Sequence, residues 1–107
     1  MPQDKINILV EELADIFTRT KDVNELRLLL DGILTPSEIE GIHLRWALLK
    51  LLAEGVTQRE IMTRLGICLG KISRGSRLMK YGDPGFKELV TRICQERAQI
   101  QSKDAKE

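Results

Sequence analysis

The chain predicts an all-α fold of six helices, and three observations carry that prediction. Apolar residues recur at three- and four-residue steps through most of the 107 residues. No stretch of useful length alternates apolar and polar residues with a period of two, and there is no internal repeat. The breaks between periodic stretches carry helix start and stop residues: Asp22, Thr35-Pro36, Gly55, Thr57, Gly66, Gly82 and Asp83-Pro84. The length suits a single domain spanning 1–107, and with 4% aromatic residues its core must be built from Leu, Ile and Val.

The first helix is expected from Asp4 to Thr20, where Ile6, Leu9, Val10, Leu13, Ile16 and Phe17 form a stripe opposite Glu11, Glu12 and Asp15. A helix this long with one apolar stripe needs a partner surface. The second begins after Asp22, a suitable N-cap, and runs through Val23, Leu26, Leu29, Leu30 and Ile33. Gly32, near its end, is where a left-handed or close-approach backbone is easiest. A third helix is predicted over 35–54: Thr35 caps it, Pro36 fits its first position, Glu38 closes a capping box and Gly55 stops it. Its residues Ile39, Ile42, Leu44, Trp46, Leu48, Leu49, Leu51 and Leu52 surround most of the cylinder, the pattern of a buried helix. Burial on all sides in so small a protein is easiest if a second copy covers part of it, so a homodimer is expected. Trp46 reads as core.

Thr57-Gln58-Arg59-Glu60 repeats the capping-box pattern and opens a short fourth helix that ends at Leu65-Gly66. A fifth runs from Leu69 to about Met79. Asp83-Pro84 starts a sixth over 83–100, with Phe86, Leu89, Val90, Ile93 and Cys94 as its stripe, and 101–107 reads as a frayed tail.

Charge is segregated along the chain. Residues 1–40 hold nine acidic and four basic residues, 41–80 hold two and eight, and 81–107 hold five of each, which together make the net +1. The span Thr57–Lys80 alone carries six basic residues against Glu60. A basic middle points to an anionic partner. Cys68 and Cys94 are far apart and His43 is the one histidine, which argues against a zinc site and against any other metal site. Both cysteines are expected reduced, and Cys68 reads as a small apolar filler. The first residues are too acidic for a signal sequence and no run is apolar enough to span a membrane, so a cytoplasmic protein is expected. No paired carboxylates, activated nucleophile or metal constellation supports an enzyme, and no cofactor is implied.

The fourth and fifth helices together read as a helix-turn-helix over 57–80. Ile61, Leu65 and Ile72 are spaced to meet across the turn, Ile67 fills the corner, and Gly66 permits the positive φ of a tight connection. That leaves Leu69, Gly70, Lys71, Ser73, Arg74 and Arg77 on the remaining sides of the second helix. Its start would enter the major groove of double-stranded DNA, with Arg59 on a phosphate.

The stretch LTPSEIEGIHLRWALLKLLAEGVTQREIMTRLGICLGKISRGSRLMK, Leu34–Lys80, closely resembles the tryptophan repressor family of bacteria over just under half of the chain. Leu34-Thr35-Pro36, Thr57-Gln58-Arg59-Glu60 and Ser73-Arg74-Gly75-Ser76 are its most telling pieces. The resemblance implies a cytoplasmic, intertwined homodimer, with residues 1–34 as dimerisation helices. It implies a transcriptional repressor that binds a palindromic operator when the corepressor L-tryptophan is bound. Carried over by position, Arg45 and Arg74 would flank the indole, with Arg74 also holding the carboxylate. Gly75 would leave room beside the ring, and Gly32, Leu34 and Thr35 would come from the other subunit. Arg59, Cys68, Leu69, Gly70, Lys71, Ser73, Arg77 and Lys80 would form the DNA surface. Four departures stand out: Leu78 replaces a family serine that helps hold the ligand's amino group, Gly32 replaces a leucine, Met62 replaces a lysine, and the loop at Gly55-Val56 is one residue shorter. Two alternatives remain beside this reading: a corepressor-independent DNA-binding member of the same family, and a helical protein-interaction module.

Overall fold

Each helix begins where the sequence supplies a start signal. In the computed structural model, which describes residues 2–106, six helices follow one another: α1 Gln3–Thr18, α2 Val23–Ile33, α3 Pro36–Ala53, α4 Gln58–Leu65, α5 Leu69–Tyr81 and α6 Pro84–Lys106. No strand occurs among the described residues.

The caps account for the boundaries. Asp22 Oδ1 accepts from the Glu25 N–H at 2.9 Å and fixes the start of α2. At α3 the box is reciprocal: Glu38 N–H donates to Thr35 Oγ1 at 3.2 Å, and Thr35 N–H donates to Glu38 Oε1 at 2.9 Å. Those bonds to the Thr35 backbone and hydroxyl favour the ionised Glu38 carboxyl and lower its pKa. At α4 only half of the expected box forms. Thr57 Oγ1 accepts from Glu60 N–H at 3.2 Å, but the Glu60 carboxylate pairs one turn onward with Arg64 at 2.7 Å, a geometry the i, i+4 spacing favours. Asp83 Oδ1 accepts from Gly85 N–H at 2.9 Å and opens α6.

The helical contacts divide the chain into two units, one ending at Ile39 and the other beginning at Glu40. In the first unit neither α1 nor α2 contributes a buried residue. The α1 stripe stays open, with Ile6 at 37%, Leu9 at 42% and Leu13 at 46% exposure. Gly32 is an ordinary helical residue of α2 and not a left-handed stop, because α2 ends through Leu34 in extended backbone two residues before Pro36.

The second unit holds the core. Leu48, Ile61, Ile67 and Ile72 are buried together, with Leu44, Leu51, Leu52, Val56 and Leu65 packed around them. α5 packs against both α4 and α6, and Met79 and Val90 are buried as well. Two sequence expectations are revised here. Of the apolar residues around α3 only Leu48 is buried; Ile39 and Ile42 are exposed and Trp46 is half-buried, since the chain by itself covers one side of that helix. And α6 is helical as far as Lys106, past the tail expected from Gln101, because residues 101–106 contain neither Gly nor Pro to stop it; Glu107 lies outside the described residues.

Candidate functional site

Everything that bears on function in the second unit turns on how α5 is held. α4 ends on Gly66 at φ 63°, ψ 31°, a left-handed C-cap whose N–H returns to the Met62 carbonyl at 2.9 Å. Two residues later α5 starts at Leu69. Ile61 from α4 and Ile72 from α5 are fully buried in the corner this turn creates, with Ile67 beside them. Ile72, Gly75, Ser76 and Met79 form the buried stripe of α5, at steps of three, one and three. Gly75 allows close approach to α3: a Cβ there would lie 3.0 Å from Leu48 Cδ2 and 3.4 Å from Leu52 Cδ1.

At 100° per residue, the buried stripe leaves α5 two flanks. One carries Leu69, Ser73, Arg77 and Lys80. Of these Leu69, Arg77 and Lys80 are exposed and Ser73 is half-buried. Gly70 is exposed at the start of the helix, and Arg59 is exposed near the start of α4. The other flank carries Lys71, Arg74, Gly75 and Leu78, and it lines a cavity of ≈ 340 Å³ against α3. α3 contributes Gly41, Leu44, Arg45, Leu48 and Leu49, a stripe at i, i+3, i+4, i+7 and i+8, and Ile67 completes the lining.

Arg45, Arg74 and Gly75, inferred from the resemblance as corepressor contacts, thus share one cavity. Gly32, Leu34 and Thr35 belong to the other unit. Lys71, assigned from the sequence to the DNA surface, lines the cavity as well. Cys68 is not a filler: it is exposed as the N-cap residue of α5, with no side-chain cap bond. The α3 residues of the wall were missed because that helix reads as apolar on all sides; the eight-residue stripe containing Arg45 was the available signal. Among the described residues, the salt bridges join Arg19 to Asp15, Arg27 to Asp31, Arg64 to Glu60 and Arg92 to Glu96, so Arg45, Lys71 and Arg74 have no carboxylate partner. An apolar hollow at the small end of ligand-pocket size, rimmed by three unpaired cations, suits a molecule with an apolar body and an anionic end. No three His, Cys, Asp or Glu side chains converge as a metal site among the described residues, and no described helix is long and apolar enough to cross a membrane.

Fold and site define a small all-helical protein with a cation-rimmed cavity built against a basic two-helix hairpin. Residues 9–94 match the family model described as Trp repressor protein. The chain belongs to the Trp repressor family, which is one of transcriptional regulators. Among its relatives is a protein named Trp operon repressor homolog from Actinobacillus succinogenes, 37% identical over 84 residues that cover 78% of this chain and 79% of the relative. Another of that name, from Chlamydia caviae, is 41% identical over 61 residues, 56% of this chain and 60% of its own. The uncharacterized protein YerC of Bacillus subtilis is 27% identical over 94 residues, 88% and 90% of the two chains.

Proposed function

We propose that the protein is a cytoplasmic, tryptophan-dependent transcriptional repressor that binds a palindromic DNA operator as a homodimer, with L-tryptophan as corepressor. The observation that carries the reading is the cavity between α3 and α5, apolar within and rimmed by Arg45, Lys71 and Arg74 without carboxylate partners. An indole fits between guanidinium planes, which stack on aromatic faces, and a carboxylate takes up the charge of Arg74 in a charge-assisted bond. A ligand lodged there touches α3 on one side and α5 on the other, so it biases the angle at which α5 is presented. α4 and α5 then act as a helix-turn-helix, with the start of α5 in the major groove and Arg59, Arg77 and Lys80 near phosphates. Two copies must reach successive major grooves, about 34 Å apart along B-DNA. The open apolar stripe of α1 is the surface through which two copies associate.

The linkage is reciprocal: a ligand that favours the DNA-competent angle must itself bind more tightly in the presence of operator. A mobility-shift titration on a tryptophan-operon promoter fragment, with and without L-tryptophan and with indole as control, tests this. Operator affinity should rise with L-tryptophan and not with indole. The same affinity with and without saturating L-tryptophan would instead favour the corepressor-independent reading. Arg74→Ala should lose the ligand response along with some DNA affinity, whereas Ser73→Ala should weaken DNA binding and keep the response. Binding that is insensitive to salt would favour a protein-interaction module, since phosphate contacts weaken steeply as salt rises.

A further inference from the structure

We infer that the cavity between α3 and α5 prefers an aromatic carboxylate that lacks an α-amino group over the corresponding amino acid, an inference that rests on reading this cavity as the ligand site. None of the side chains that line it carries an oxygen: the polar ones are Arg45, Lys71 and Arg74, and the rest are apolar or glycine. All three of those groups donate hydrogen bonds and none accepts. The backbone offers little more, because every lining residue except Ile67 lies within α3 or α5, where helical turns engage the carbonyls. Leu78 closes the matter on the α5 side. It stands one turn beyond Arg74 on the same flank, half-exposed at 45%, where a hydroxyl could have accepted from an ammonium and a hydrocarbon cannot.

A ligand carboxylate therefore meets three complementary charges, while an ammonium meets three like charges and no acceptor. Specificity built from an unfavourable pairing of this kind acts against the amino acid and leaves its desamino analogue untouched. Both keep the indole and the carboxylate, so their difference isolates the amino group.

The test is isothermal titration calorimetry of the full chain with L-tryptophan, indole-3-propionate and tryptamine. Indole-3-propionate should bind about tenfold more tightly than L-tryptophan, the size expected for leaving one polar group without a partner, and tryptamine should be the weakest of the three. Leu78→Ser should narrow the gap by tightening L-tryptophan alone, and Lys71→Gln should weaken indole-3-propionate. L-Tryptophan binding as tightly as indole-3-propionate or more so would overturn the preference and leave the ligand site standing. An unchanged ratio in Leu78→Ser would overturn the role given to that residue. No heat from any of the three at millimolar concentration would overturn the preference and the ligand site together.

Discussion

Substituting Gly66 by alanine isolates the backbone geometry that sets α5 against α4. Gly66 sits at φ 63°, and a Cβ built there meets nothing within 4 Å, so no clash contributes and the whole effect is conformational. An L-residue in the left-handed region is strained by roughly 1–2 kcal/mol. Alanine also restricts the unfolded chain, which returns about 0.4–1 kcal/mol. The net loss should be about 1 kcal/mol. In urea unfolding at fixed protein concentration, with a slope of about 1–3 kcal/mol/M, the midpoint should fall by roughly half a molar with the slope unchanged. Gly70→Ala is the matched control: its Cβ also meets open space, but Gly70 lies in α5 with no positive φ, so that substitution should be neutral or stabilising by up to about 1 kcal/mol. Gly66→Asn should recover part of the loss, because asparagine tolerates the left-handed cap. Gly66→Ala as stable as the native chain, or Gly66→Asn no better than alanine, would refute the conformational account.

Three further outcomes follow from the geometry. Ile72→Ala empties the middle of the α3–α4–α5 core, where Ile72 is fully buried, and should lower stability by about 2–5 kcal/mol in the same urea assay. Glu38 has a lowered folded-state pKa, so the stability it adds is present above its unfolded value near 4.5 and is lost as pH falls through the folded one. Glu38→Gln should therefore flatten part of the acid limb of a stability–pH profile and leave no difference once both chains are measured below that window. Leu13→Glu puts a charge in the open stripe of α1; if that stripe joins two copies, sedimentation should report a smaller particle than the native chain gives, with helix content retained by circular dichroism.

How far the candidate site could be read in sequence differs from residue to residue. Ile61, Ile67 and Ile72 were legible as a corner because their spacing follows from 3.6 residues per turn and from one glycine between two helices. Arg74 and Arg45 stood out through the resemblance, not through spacing, since they are 29 positions apart and nothing local connects them. Lys71 was assigned to the wrong flank, because composition marks it only as one more cation near the start of α5.

Local chemistry alone determined the helices and their ends. A threonine hydroxyl, an aspartate, a proline ring or a glycine acts within three or four residues of itself, and those residues are adjacent in the sequence. Only the tertiary structure decided which flank of α5 faces α3. That depends on the buried stripe Ile72, Gly75, Ser76 and Met79, and on Gly75 having no Cβ to hold Leu48 away. With the stripe seated, Lys71, Arg74 and Leu78 turn to the cavity while Leu69, Arg77 and Lys80 remain in solvent. The division of α5 between a ligand and a nucleic acid is thus a property of packing, which no run of adjacent residues encodes.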